Sequence, residues 1–143
     1  MKSKKFTVFI AGVMQGSKTE GIHSQDYRTE ITNILNKHLK NVEVVDPDKT
    51  DPDRLNYNFE QSKKMFFDYC AVAGKVDLLI SFLPIASMGS SIEMWNAYQA
   101  NIPIFTITPM PQNWVIKLLS KEVFSDLEDF DKRVLKILNN YFK

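Results

Sequence analysis

Val76-Asp77-Leu78-Leu79-Ile80-Ser81-Phe82-Leu83-Pro84-Ile85-Ala86-Ser87-Met88-Gly89-Ser90-Ser91-Ile92-Glu93 is the stretch that decides how the chain reads. The run from Val76 to Leu83 is nearly all apolar, as in a strand covered on both faces. A turn of small residues follows, and Ser90 to Asn101 is predicted as a helix. Such a strand, turn and helix start point backbone N–H groups and the positive end of a helix dipole past the sheet edge. Glu93 falls in the predicted first turn. Its spacing from Ser90 fits a capping box, in which the serine accepts from the third helical N–H and the glutamate reaches back to the cap. The same position suits a carboxylate facing a ligand beyond the strand ends, so a capping role and a nucleophilic role both stand.

Working outward, Phe6 to Ala11 reads as a first central strand that ends at Gly12. The loop Gly12-Val13-Met14-Gln15-Gly16-Ser17 has two glycines that let backbone N–H groups approach a ligand, or simply make the turn. Ser24 is the expected N-cap of a helix running to about Leu39, with Tyr27, Ile31, Ile34, Leu35 and Leu39 at helical spacing. Val42 to Val45 is a second strand, and the Asp-rich stretch Asp46 to Asp53 is a loop without the glycine or closing glutamate of a calcium loop. A helix is expected from about Asn58 to Ala73. Phe59, Ser62, Met65, Phe66, Tyr69, Cys70 and Ala73 share one stripe, Gly74 ends it, and Asp68 lies off the stripe, near its rim or exposed. Ile102 to Ile107 is a fourth strand, Asn113 caps a short helix to Leu119, Val123-Phe124 is a brief fifth strand, and Leu127 to Phe142 is a closing amphipathic helix.

Strand and helix alternate throughout, which predicts a three-layer, flavodoxin-like (Rossmann-like) α/β fold: a parallel sheet of about five strands with helices on both faces. In such sheets ligands bind outside the carboxyl ends of the strands where strand order reverses, between the first and third strands. The loops at Gly12 to Ser17 and Ser87 to Ser91 both fall there.

Length and composition agree with one ordinary domain spanning residues 1–143. Apolar residues make up 44% and charged residues 24% of the 143 positions, near the average for globular proteins. With 18 Lys and Arg against 17 Asp and Glu, no overall charge favours a nucleic-acid polymer as partner. The basic start, Lys2, Lys4 and Lys5, reads as a solvated end. No apolar run reaches the length of a membrane span, and the one after Lys5 is too short for a secretory signal. The single Cys70 excludes an intrachain disulfide and a Cys-based zinc site, so a cytoplasmic protein with no metal and no cofactor is expected. His23 and His38, apart from any carboxylate cluster, read as surface residues, and Trp95, Tyr98 and Trp114 as packing residues or pocket walls.

Three motifs carry a likeness to a known family: Val8 to Gly16, Val76 to Ile80, and above all Ala86-Ser87-Met88-Gly89-Ser90-Ser91-Ile92-Glu93-Met94-Trp95. Through them the chain resembles the nucleoside 2-deoxyribosyltransferase superfamily, including its nucleoside 5'-monophosphate N-glycosidase branch. The resemblance implies cleavage of an N-glycosidic bond in a nucleoside or nucleoside 5'-monophosphate. Glu93 takes the place of the nucleophile that attacks C1', and Ser87 that of the residue that meets the 5'-phosphate. Gly12, Gln15 and Gly16 fall on the loop lining the phosphate and sugar pocket, and Gly89, Ser90 and Ser91 supply N–H groups and hydroxyls to the 5' end. Asn113 matches a position that reaches into the neighbouring subunit in family dimers, which implies a homodimer or higher homo-oligomer.

Two departures stand out. Phe9 occupies the place of a first-strand tyrosine whose hydroxyl orients the nucleophile, with Tyr27 or Tyr57 as substitutes. The second carboxylate, which helps the base leave, usually stands about eight residues before the third-strand aspartate; Asp68 stands nine before Asp77, with Asp46 in reserve. Water as acceptor would make the protein a hydrolase, a second base a transferase. A nucleotide sensor that has lost turnover is a rival reading. So is an FMN carrier, although the first loop has a single hydroxyl, Ser17, and no aromatic pair to sandwich the ring.

Overall fold

The computed structural model describes residues 4–142, so Lys2 of the basic start lies outside the described residues. These residues form a five-stranded parallel sheet of order β2-β1-β3-β4-β5, built from β1 (Phe6–Gly12), β2 (Val42–Val45), β3 (Leu78–Phe82), β4 (Ile104–Ile107) and β5 (Glu122–Phe124). The helices are α1 (Asp26–His38), α2 (Pro47–Thr50), α3 (Phe59–Ala73), α4 (Met88–Gln99), α5 (Trp114–Leu119) and α6 (Leu127–Tyr141). None is long and apolar enough to cross a membrane.

The period-two alternation of strand side chains divides the core into two layers. Val8 and Ile10 of β1, with Leu78 and Ile80 of β3, pack under Ile31 and Leu35 of α1 and Phe130 and Val134 of α6. Phe9, Ala11 and Leu79 point the other way, against Ala73 of α3, Met94 and Ala97 of α4 and Ile116 of α5. The three-layer flavodoxin-like architecture follows. From β1 the chain first adds β2 on one side, then returns to add β3 on the other, which leaves a crevice at the carboxyl ends of β1 and β3, where Gly12 pairs with Phe82.

Several local expectations are corrected. Helix α4 begins two residues earlier than the spacing suggested, and its cap three residues earlier: Ser87 is the N-cap and its Oγ accepts from Ser90 N at 3.3 Å. Ser90 is therefore inside the helix and buried, and Glu93 sits in the second turn, out of reach of a capping box. The capping box occurs on α3 instead, where Asn58 accepts from Gln61 N and Gln61 Oε1 accepts from Asn58 N. Gln25 precedes α1 without a side-chain cap, although Ser24 Oγ accepts from Asp26 N. The Asp-rich stretch is not all loop: Asp46 caps α2 by accepting from Asp48 N, and a 3-10 turn spans Arg54–Asn56.

Asp77 belongs to the far end of the sheet. Its carboxylate accepts from Thr7 N at 2.8 Å and Thr7 Oγ1 at 2.9 Å, closing the amino end of the β1–β3 pair. Those bonds hold its pKa below the usual carboxylate range. Neither histidine is a free surface group. His38 Nε2 lies 2.8 Å from Asp131 Oδ1 and joins α1 to α6, and His23 Nε2 is buried beside Gly16.

Candidate active site at the carboxyl ends of β1 and β3

The crevice opens into a cavity of about 620 Å³. Its walls come from the first loop (Gly12, Gln15, Gly16), from the segment after β2 (Pro47, Arg54, Leu55), from α3 (Phe59, Phe66, Tyr69, Cys70) and from the start of α4 (Ser87, Gly89, Ser90, Glu93). Seven of the residues singled out in the sequence thus line one cavity: Gly12, Gln15, Gly16, Ser87, Gly89, Ser90 and Glu93.

Glu93 is sunk into this wall with only partial exposure. Loss of hydration pushes its carboxyl up to about 8, and the Arg28 guanidinium pulls the other way. Arg28 lines the cavity while only 2% exposed. Its Nη1 donates to Ile10 O at 2.9 Å and Asp46 Oδ1 at 3.2 Å, and its Nε to Gln25 Oε1 at 2.8 Å. A buried cation thus stands among two carboxylates from different elements, Asp46 at the end of β2 and Glu93 on α4.

Beside it, Tyr27 stacks on Phe82 with ring centroids 4.3 Å apart. Its hydroxyl lies 3.3 Å from Val13 O and from Gln25 Oε1. Burial first, then the Asp46 and Glu93 charges in smaller part, push that hydroxyl up to about 12 against the pull of Arg28. Gly12 makes this arrangement possible, because a Cβ there would come within 2.2 Å of the Tyr27 hydroxyl.

At the other wall, Ser87 Oγ and the amino end of α4 present donors and a positive dipole end. Ser90 Oγ is buried with no hydrogen-bond partner among the described residues. Arg54 Nη2 pairs with Asp48 Oδ1 at 2.6 Å. Asp51 accepts from Tyr57 Oη at 2.7 Å and from Tyr69 Oη, which ties the segment after β2 onto α3. Those two bonds hold the Asp51 carboxyl below the usual range.

Four expected site residues lie outside the cavity wall. Phe9 is fully buried, its ring 6.1 Å from that of Tyr69. Ser91 Oγ donates back to Ser87 O at 2.8 Å. Asn113 Oδ1 is occupied in capping α5, accepting from Val115 N and Ile116 N. Asp68 is exposed, as its place off the α3 stripe predicts. Helix α3 is regular through Ala73, so the one-residue offset keeps Asp68 on the solvent face, paired with Lys64, while Tyr69 takes the position in the cavity wall. Asp68→Ala is expected to change stability by less than about 0.5 kcal/mol, as an exposed ion pair implies. It should leave ligand binding unchanged in a calorimetric titration. Tyr57, held by Asp51, is not in the wall, and Asp46 serves Arg28.

The sequence reading missed Arg28, Arg54 and the aromatic wall. A signal for Arg28 was present: Arg28, Ile31 and Leu35 share the buried face of α1, so a cation stands at a core position. The α3 stripe was legible but its destination was not. Of its residues only Cys70 and Ala73 are buried, and the amino-terminal part faces the cavity. Trp95, Tyr98 and Trp114 are all exposed and outside this cavity; Trp95 and Tyr98 stack with ring centroids 5.9 Å apart, and Tyr98 lines a separate pocket between α4 and α5.

Fold and cavity together define a flavodoxin-like α/β protein with a cavity at its switch point lined by two arginines and a sunken carboxyl. Among solved structures, the fold is shared with a 2-deoxyribosyltransferase from Bacillus psychrosaccharolyticus at 14% identity and a TM-score of 0.66, covering 87% of this chain and 90% of that one. A conserved protein from Enterococcus faecalis V583 superposes at 17% identity and a TM-score of 0.66, over 94% of this chain and all of the other. No protein-family model and no curated protein matches the chain.

Proposed function

We propose that the protein cleaves the N-glycosidic bond of a nucleoside 5'-monophosphate or nucleoside, with Glu93 as nucleophile and a glycosyl–Glu93 ester as intermediate. The observation that carries this reading is the sharing of one switch-point cavity by the Glu93 carboxyl, the buried Arg28 cation and the amino end of α4. Attack by Glu93 on C1' forms a C–O bond as the C1'–N bond breaks, and the electron pair leaves with the base. Water then resolves the ester with retention of configuration, or a second base does so in a transferase. Ser87 and the α4 N–H groups hold the 5'-phosphate, and Phe59, Phe66 and Tyr69 give the base an apolar wall. With Asp68 facing solvent, no carboxylate besides Glu93 lines the cavity among the described residues, so the departing base takes its proton from water. The reading requires no cofactor.

The assay is incubation with a panel of nucleosides and 5'-monophosphates, with and without an acceptor base, scored by release of free base or a new nucleoside. Base release from a monophosphate, with Ser87→Ala narrowing the preference over the matching nucleoside by about tenfold, supports the proposal. Tight binding with no base release favours a sensor, a second reading favoured by Phe9, which has no hydroxyl to orient the carboxyl.

The proposal includes a homo-oligomer. The outer surfaces of α3, α4 and α5 expose Phe67, Met88, Trp95, Tyr98, Trp114 and Leu118, whereas the opposite layer exposes Leu135, Tyr141 and Phe142. Helix α4 carries no charge besides Glu93, so this face suits a second copy better than a charged partner. Light scattering is expected to give at least twice the 16.5 kDa chain mass; a monomer at micromolar concentration would exclude it.

A further inference from the structure

We infer that the cavity selects a ribonucleotide over its 2'-deoxy counterpart, and that Arg28 reads the 2'-hydroxyl. This rests on the N-glycosidase reading above and deepens it. A guanidinium has five N–H donors in a fixed fork. Protein acceptors take the donors of Nε and Nη1: Gln25 Oε1, Ile10 O and Asp46 Oδ1. Among the described residues neither N–H of Nη2 has an acceptor. The side chain is almost completely buried yet belongs to the cavity wall. Nη2 is not among the fully buried atoms that lack a partner, so it opens to the cavity, and a ligand that displaces water there without bringing an acceptor leaves a cationic donor bare.

Stereochemistry identifies the acceptor. The base of a nucleoside occupies the β face of the sugar, so displacement at C1' brings the attacking carboxylate to the α face. That face carries the 2'- and 3'-hydroxyls of ribose, and the 2'-hydroxyl stands on the carbon next to C1'. Arg28 and Glu93 line the same cavity, and in this reading cation and nucleophile stand on the same side of the sugar. The 5'-phosphate has its donors at the amino end of α4 and the base has the α3 wall, leaving the 2'-oxygen to accept from Nη2.

The test compares base release from matched ribo-, 2'-deoxy- and 3'-deoxynucleoside monophosphates by wild type and by Arg28→Met/Asp46→Asn. The double substitution removes both charges together, so no lone buried carboxylate compromises folding. Wild type is expected to prefer the ribonucleotide over the 2'-deoxynucleotide by about ten- to a hundredfold in kcat/KM, the size of one hydrogen bond from a charged donor. The double variant should bring that ratio to within about threefold while the 3'-deoxy ratio stays put. Base release with no ribo preference in wild type, or a preference that survives in the double variant, overturns the inference and leaves the N-glycosidase reading standing. If no base is released, equilibrium binding of the same ligands decides. A ribo preference lost in the double variant upholds Arg28, equal binding overturns it, and absence of binding overturns both readings.

Discussion

Glu93→Gln is expected to abolish base release, lowering kcat by at least about a thousandfold, because the amide keeps shape and hydrogen bonding but has no anionic oxygen to attack C1'. The wild-type pH profile should carry the signature of the same group. With the carboxyl pushed up to about 8 by burial, kcat/KM rises with pH through that value and levels above it, the limb reporting ionisation in the free protein. A profile flat from pH 6 to 9 would remove Glu93 from the nucleophile's role.

Stability should move in the opposite direction. Between the ordinary carboxyl value of 4.5 and about 8 the folded state holds a proton on Glu93 that the unfolded chain has released. Stability contributed by this group is therefore lost as pH rises across that window, and is lowest above it. Glu93→Gln removes the penalty. Its unfolding free energy in denaturant titration is expected to match wild type near pH 5 and to exceed it increasingly towards pH 9, by up to a few kcal/mol. A variant less stable than wild type at pH 9 would contradict the burial argument. A residue whose loss stabilises the fold and destroys turnover is held for chemistry rather than for structure.

The second large effect concerns the cation. Arg28→Met alone is expected to destabilise the protein by about 3–5 kcal/mol in denaturant unfolding, since it leaves Asp46 buried and unpaired. Arg28→Met/Asp46→Asn should recover most of that loss, because a neutral pair of similar volume carries no uncompensated charge. Asparagine at position 46 also keeps an oxygen for the amide of Asp48, so the start of α2 is preserved. A single variant within about 1 kcal/mol of wild type would mean that Asp46 finds another partner or takes up a proton without cost.

The order of elements could be read from the sequence because it depends on local information. Continuous apolar runs, period-3.6 apolar stripes, Gly74 after α3 and Asn113 before α5 are all short-range signals, and they fall where the structure has the corresponding elements. Given a parallel sheet, the switch-point rule also located the crevice from the order of strands. The residues on the two loops that end β1 and follow β3 were legible for that reason.

Where the reading failed, the deciding forces were long-range or one residue wide. The start of α4 turned on a choice between two serines three apart, Ser87 and Ser90, each able to cap. Burial of Ser90 under the cavity wall settles it in favour of Ser87. Asp68 and Tyr69 are neighbours in sequence but about 100° apart on the helix, so only the regular geometry of α3 decides which one faces the cavity. The α3 stripe looked like core because apolar periodicity reports a face that is not solvated as charge, without saying whether protein or a cavity lies opposite.

By itself the sequence determined the layered α/β architecture, the placing of a crevice between the first and third strands, and the arrival of Glu93 and Ser87 beside it, because local patterning and strand order specify those. Only the tertiary structure decided that Arg28 faces the same cavity as Glu93, that Asp46 is its counterion, and that Gly12 makes room for Tyr27. Those partners lie 18 residues apart or farther along the chain, or meet across packed layers. Burial, which sets the charge state of each, is a property of the assembled fold rather than of any short stretch of sequence.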